Sequence, residues 1–163
     1  MRNIFETIGS WISIAIDFFY PPFGNYMTLQ FFRYGVSGVA NMAFDLVLYF
    51  LVYNFVLQHQ MLHLGFVTLS SHIATLAIIF PISSFTGFLL QKYVTFTASD
   101  LRGHVQLYRY FIVVFINLML NYVGLKLLVD GLHFFPTPAK MTITFFTTLF
   151  SYFSQKKFTF KNV

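Results

Sequence analysis

Asn41 and Asp45 lie four residues apart within a long apolar run, and Asn117 and Asn121 repeat that spacing further along the chain. Four residues is close to one helical turn, so each pair shares a helix face, and Gly38, one turn before Asn41, extends the first stripe. Amides and a carboxylate in apolar surroundings can hydrate a polar cargo, carry a proton or bind a cation. The same amides also bond helices to one another where no water competes. A second set is cationic: Arg33, Lys92, Arg109 and Lys156 each flank an apolar run. The planar fork of arginine suits a phosphate. Simple anchoring of helix ends at a membrane surface explains the same residue types.

Such groups need elements that hold them in a bilayer, and the composition supplies them. Hydrophobic residues make up 57% of the 163 positions and charged residues 9%, with 24 Phe among them. A soluble domain of this size needs far more charge to cover its surface. A hydrocarbon core of about 30 Å takes roughly 20 helical residues per crossing. The apolar runs predict spans over 34 to 57, 67 to 90, 108 to 129 and 138 to 154, the last being the least apolar. At 1.5 Å per residue, Asp45 is then about 18 Å along its helix from Arg33, near the bilayer centre. A carboxylate there costs about 2.5 to 3.5 kcal/mol on insertion scales, so it should face a polar cavity or a partner.

The chain is internally repeated. Gln30-Phe31-Phe32-Arg33-Tyr34 recurs as Gln106-Leu107-Tyr108-Arg109-Tyr110, and Gln91-Lys92-Tyr93-Val94-Thr95-Phe96 recurs as Gln155-Lys156-Lys157-Phe158-Thr159-Phe160. Arg33, Asn41 and Asp45 align with Arg109, Asn117 and Asn121; Ser83, Ser84, Gly87 and Lys92 align with Thr147, Thr148, Ser151 and Lys156. The expected fold is an all-α integral membrane protein of four transmembrane helices, arranged as two parallel-repeat hairpins, over residues 29–163 with repeats at about 29–97 and 105–161. Residues 1–28 precede it as an amphipathic interfacial helix and a turn at Pro21, Pro22 and Gly24. In that helix Ile4, Phe5, Ile8, Trp11, Ile12, Ala15 and Phe19 form the apolar stripe, with Glu6, Ser10, Ser13 and Asp17 largely opposite.

Arg2, Arg33, Lys92, Arg102, Arg109, Lys156, Lys157 and Lys161 all fall before the first span, between the second and third, or after the fourth. By the positive-inside rule, both termini and the central loop, Ser99 to His104, are cytoplasmic. A closed bundle would gather Arg33, Lys92, Arg109 and Lys156 into a basic ring suited to a lipid phosphate. Lys126 and Lys140 break the bias and approach the outer side, either to snorkel or to hold a phosphate that has crossed. Hydroxyl stripes run along the second helix (Thr75, Ser83, Thr86, with His72) and the fourth (Thr144, Thr147, Thr148, Ser151, Ser154), and Pro81 should kink the second.

No catalytic motif appears, and the scattered His59, His63, His72, His104 and His133 lack a metal-binding spacing. The expectation is therefore no enzyme activity, no metal and no cofactor. The excess positive charge is assigned to lipid headgroups rather than nucleic acid.

The residues Phe32-Arg33-Tyr34-Gly35-Val36-Ser37-Gly38, with Gln91-Lys92-Tyr93 through Phe96 and Gln155-Lys156-Lys157 through Phe160, resemble the GtrA-like family of small four-helix membrane proteins of cell-surface polysaccharide synthesis. The likeness runs over roughly 29 to 161; Gln91 and Gln155 stand where that family usually has Asn. It implies flipping of a polyprenyl-phosphate-linked sugar to the outer leaflet of a bacterial-type cytoplasmic membrane, for a glycosyltransferase working outside. It places the family's charged positions on Arg33, Asp45, Lys92, Arg109 and Lys156. Rival readings are a small proton-coupled exporter of cationic compounds, through Asp45, and a non-transporting scaffold for a glycosyltransferase. Four helices barely enclose a headgroup path, so a homodimer surrounded by membrane lipids is expected.

Overall fold

The side-chain oxygen of Thr28 accepts from the backbone N–H of Phe31 at 3.3 Å and so caps a helix that begins one residue later. A computed structural model describes residues 4–58, 60–63, 68–69, 71–99, 101–134 and 136–161. The helices are α1 (Ile4–Phe18), α2 (Leu29–Leu51), α3 (Ser71–Leu90), α4 (Gly103–Leu125) and α5 (Pro136–Ser154). A 3-10 turn at Pro21–Phe23 joins α1 to α2, tied by the Tyr20 hydroxyl donating to the Met27 carbonyl at 2.8 Å. Between α2 and α3 lie two-residue strands, β1 (Leu62–His63) and β2 (Thr68–Leu69), paired antiparallel. Each long helix runs on into a wider π-helical turn: Val52–Val56, Gln91–Thr95, Lys126–Gly131 and Gln155–Thr159.

The chain divides into two compact units, Met1–Thr97 and Ala98–Val163. In the first, α2 and α3 run antiparallel: Gln30 near the start of α2 donates to the Thr95 carbonyl after α3, whereas Asn41 further along donates to the Ser83 carbonyl. Helix α1 packs on α2 and on the turn Gln91–Thr95. The second unit repeats the antiparallel pair, with Arg109 on the Phe158 carbonyl and Asn121 on the Thr147 hydroxyl. Gly124 allows this approach, since Ile143 would stand 3.1 Å from a side-chain carbon placed there.

The helices begin and end a few residues from the expected spans. Helix α2 starts at Leu29 and α4 at Gly103, earlier than 34 and 108, because the Thr28 cap and the Arg102 carbonyl, which accepts from Gln106, recruit polar residues that hydropathy discounts. Helix α3 starts at Ser71, after β2, rather than at 67. Pro81 sits inside α3 without ending it. Three helical stretches among the described residues are long and apolar enough to cross a membrane: Leu29–Val56, Ala74–Thr95 and Gly103–Leu128.

Each unit buries a thin core, around Tyr34, Ile79, Phe88 and Val94 in the first and Tyr110, Val113, Ile143 and Tyr152 in the second. Phe44, Leu46 and Phe50 on α2, Phe115 and Leu118 on α4, and Phe145 and Phe153 on α5 stay exposed. Apolar faces of this kind suit lipid, which is as apolar as leucine.

Helix α1 buries residues that lie outside its apolar stripe. Gly9, Ser13 and Ile16 are the buried residues, and Trp11 is 74% exposed. Small residues let α1 lie close against Tyr93, and Ser13 satisfies its hydroxyl by donating to the Gly9 carbonyl at 2.9 Å. Most of the apolar stripe stays exposed, although Phe5 stacks on Tyr93 with ring centroids 5.9 Å apart.

Candidate functional site

In the first unit the basic helix ends are built by α2 and the π turn after α3. Arg33 grips Asp17 of α1 with two parallel bonds, Nε to Oδ1 at 2.8 Å and Nη2 to Oδ2 at 2.5 Å, and its Nη1 donates to the Val94 carbonyl at 3.3 Å. All three guanidinium nitrogens are engaged. Forked pairs of this type combine charge with fixed geometry. Lys92 lies over the rings of Phe88 and Tyr93, 5.9 and 5.1 Å from their centroids.

The second unit reproduces the frame with one change. Arg109 Nη1 donates to the Phe158 carbonyl at 2.8 Å, matching the bond from Arg33 to Val94, and its guanidinium stacks 4.9 Å over the Phe158 ring. Lys156 lies 5.7 Å from the Tyr152 ring centroid, as Lys92 lies over Phe88. No carboxylate pairs with Arg109 among the described residues. Asp17 is thus a partner that motif reading passed over: its acidic type was visible, but its neighbour depends on which side of α1 packs.

Both π turns bury the motif amides. Gln91 and Gln155 are 6% and 4% exposed; Gln155 Nε2 donates to the Ser151 hydroxyl at 3.1 Å, and Gln91 Oε1 has no partner among the described residues. The Thr95 and Thr159 hydroxyls are buried in the same turns, with no partner among the described residues. Interior placement gives the two glutamines a packing position rather than contact with a headgroup. Single π turns inside helices occur often at functional sites.

Deeper along the helices, the amides stitch each pair together. Asn41 Nδ2 donates to the Ser83 carbonyl at 3.1 Å, and its Oδ1 accepts from the Thr86 hydroxyl at 2.9 Å. Asn121 Nδ2 donates to the Asn117 carbonyl at 2.9 Å and to Thr147 Oγ1 at 3.4 Å, while Asn117 Oδ1 is buried with no partner among the described residues. Asp45 is half-buried, with no hydrogen bond or ion pair among the described residues. The hydroxyls of Thr75 and Thr147 donate to carbonyls of their own helices, so these stripes serve close packing.

Lys126 is exposed and opens the π turn after α4. Lys140 falls near the start of α5 and its side chain lies outside the described residues, as do the His72 side chain, His59 and Asp100. A groove of about 340 Å³ runs between α1, α2 and α3, lined by Phe5, Ile8, Ala40, Phe44, Leu89 and Tyr93, with Asn41 and Thr86 as its polar spot.

Long apolar helices and a membrane-domain match define an integral membrane protein, all-helical apart from the short β1–β2 pairing. The chain belongs to the GtrA-like family: the family model described as GtrA/DPMS, transmembrane domain, matches residues 33–160. That stretch runs from Arg33 to Phe160 and leaves α1, with Asp17, outside it. No curated protein and no solved structure matches the chain.

Proposed function

We propose that the protein moves a polyprenyl-phosphate-linked sugar from the cytoplasmic to the outer leaflet of a bacterial-type inner membrane, feeding a glycosyltransferase of cell-surface polysaccharide synthesis. Membership of the GtrA/DPMS family supports a role in membrane processes of polyprenyl-phosphate sugars. The observation that carries the reading is the repeated basic helix end, an Arg on one helix bonded to a π turn that holds a Lys, present in both units. In this reading α5 crosses the bilayer with the three longer helices, the four helices form two parallel-repeat hairpins, and both termini are cytoplasmic. Each unit offers a phosphate its own basic helix end, with Lys92 in the first and Arg109 and Lys156 in the second; the sugar passes Asn41 and Asp45 in the one and Asn117 and Asn121 in the other, and the prenyl tail stays in lipid. Lys126 and Lys140 meet the phosphate on the far side. No bond is made or broken, movement is downhill, and the working form is a homodimer.

The groove beside Asn41 and Thr86 supports the assignment of the tail, because its polar atoms are bonded to each other and leave an apolar wall. The test is transbilayer movement of a labelled polyprenyl-phosphate sugar in liposomes, comparing wild type with Asp45→Asn at equal incorporation. Movement that the substitution reduces supports the reading, and a well-folded wild type that moves nothing ends it. A second reading, a proton-coupled exporter of cations, is favoured by one observation: Asp45 lacks a described partner. Resistance to cationic compounds on overexpression, lost in Asp45→Asn, would select it.

A further inference from the structure

The two matching arginines do different work. Arg33 has both edges of its guanidinium filled, by the Asp17 carboxylate and the Val94 carbonyl. Arg109 makes the equivalent carbonyl bond to Phe158, and its Nε and Nη2 have no partner among the described residues. A guanidinium held by one bond and a ring stack, with a free edge, is oriented to receive a second oxyanion bidentately.

The surroundings of Arg109 are those of an anion site. Lys156 and Lys157 precede Phe158 in the same π turn and are exposed, as are Arg102 at the start of α4 and Lys161 after α5. A short network gathers these termini: Gln106 Nε2 donates to the Ser99 hydroxyl at 3.0 Å, and that hydroxyl donates to the Lys161 carbonyl at 3.4 Å. Gln106 is 1% exposed, so one end of this tie is anchored inside the unit while its Ser99–Lys161 end is exposed. Five cations therefore gather at one end of the α4–α5 pair. The second unit's sequence holds two acids: Asp100, outside the described residues, and Asp130, in the π turn that follows α4. Tyr108 and Phe158 present exposed rings beside the cluster, the residue type that settles at the headgroup level of a bilayer.

We infer that Arg109, Lys156 and Lys157 form the loading site for a lipid phosphate on the second unit, while Arg33 is a structural clamp that fixes α1 through Asp17. The inference rests on the proposed lipid-phosphate cargo and divides labour between repeats that the motifs present as equal. The ligand is the phosphate of a membrane lipid, because the cations share their surface with exposed aromatic rings.

The test uses the full chain in phosphatidylcholine nanodiscs carrying graded polyprenyl phosphate, with bound lipid counted by native mass spectrometry. Arg109→Ala should weaken binding about tenfold and Arg109→Lys less, because lysine keeps the charge and loses the fork. Lys157→Ala, an exposed substitution that leaves the fold intact, should also weaken binding. Asp17→Asn should leave binding unchanged while speeding hydrogen exchange across α1. Binding that strengthens in Asp17→Asn would make Arg33 a masked phosphate site and overturn the division. Wild-type affinity in a folded Lys157→Ala together with folded Arg109→Lys overturns the site. Displacement of the bound lipid by inorganic phosphate at equal concentration overturns the assignment to a lipid. The liposome assay separates this inference from the transport reading. Arg109-dependent binding without wild-type movement sinks the flippase and keeps the site, whereas movement unaffected by Arg109→Ala does the reverse.

Discussion

Gly9 of α1 and Tyr93 of the π turn after α3 touch so closely that a side-chain carbon on Gly9 would stand 2.6 Å from the Tyr93 carbonyl oxygen and 2.8 Å from its Cβ. That distance cannot exist, so any larger residue must push α1 away. Gly9→Ala is expected to cost about 1–3 kcal/mol through overpacking, read by thermal unfolding in detergent and by faster hydrogen exchange over Ile4–Phe18. Gly38→Ala is the control: nothing lies within 4 Å of the added carbon, so the better helix former should stabilise α2 by up to about 1 kcal/mol. Equal loss in both variants would place the Gly9 effect elsewhere.

The Arg33–Asp17 pair joins α1 to α2 with side chains 20% and 33% exposed. Partial exposure and screening limit its worth, and a double-mutant cycle of Arg33→Ala and Asp17→Ala should give a coupling of about 1 kcal/mol. Adding salt to 1 M should shrink it. A coupling indistinguishable from zero at low salt would mean that packing at Gly9 alone seats α1.

Asn41 offers its carbonyl oxygen to the Thr86 hydroxyl, and Thr86→Val removes the donor with little change in volume. Bonds of this kind inside a membrane are worth about 0.6 kcal/mol on average and about 1.7 at most, so loss of stability within that range is expected in a steric-trap or denaturation measurement. A larger loss would show that the pair supports more than the α2–α3 contact.

Asp45 has no described partner to lose, so Asp45→Asn should fold at least as well as wild type, with insertion eased because a midplane carboxylate costs about 2.5–3.5 kcal/mol. Under the proposed function its lipid transport falls while circular dichroism and unfolding temperature hold. A variant that transports normally removes Asp45 from the path.

The repeats and the long helices were legible in the sequence because both rest on local signals: an apolar run of spanning length, and the paired Arg and Lys motifs. Helix starts at Leu29 and Gly103 were less so, since hydropathy stops at polar residues that helical hydrogen bonds still take in, helped at α2 by the Thr28 cap. The packed side of α1 was not legible. Its apolar stripe was read as meeting the membrane, and the close approach of Gly9 to Tyr93, which that stripe does not announce, is tertiary geometry. Asp17 became a partner for Arg33 by the same placement. The roles of Asn41 and Asn121 were open from spacing alone; their bonds to Ser83, Thr86 and Thr147 depend on the register of facing helices.

A π turn holds more residues than the α winding it replaces, and single turns of this kind sit within or beside regular helices. Gln91–Thr95 and Gln155–Thr159 have the same length and the same position after their helices. The wide turn is therefore part of what the two halves share, and in each it sets where Lys92 or Lys156 leaves its helix.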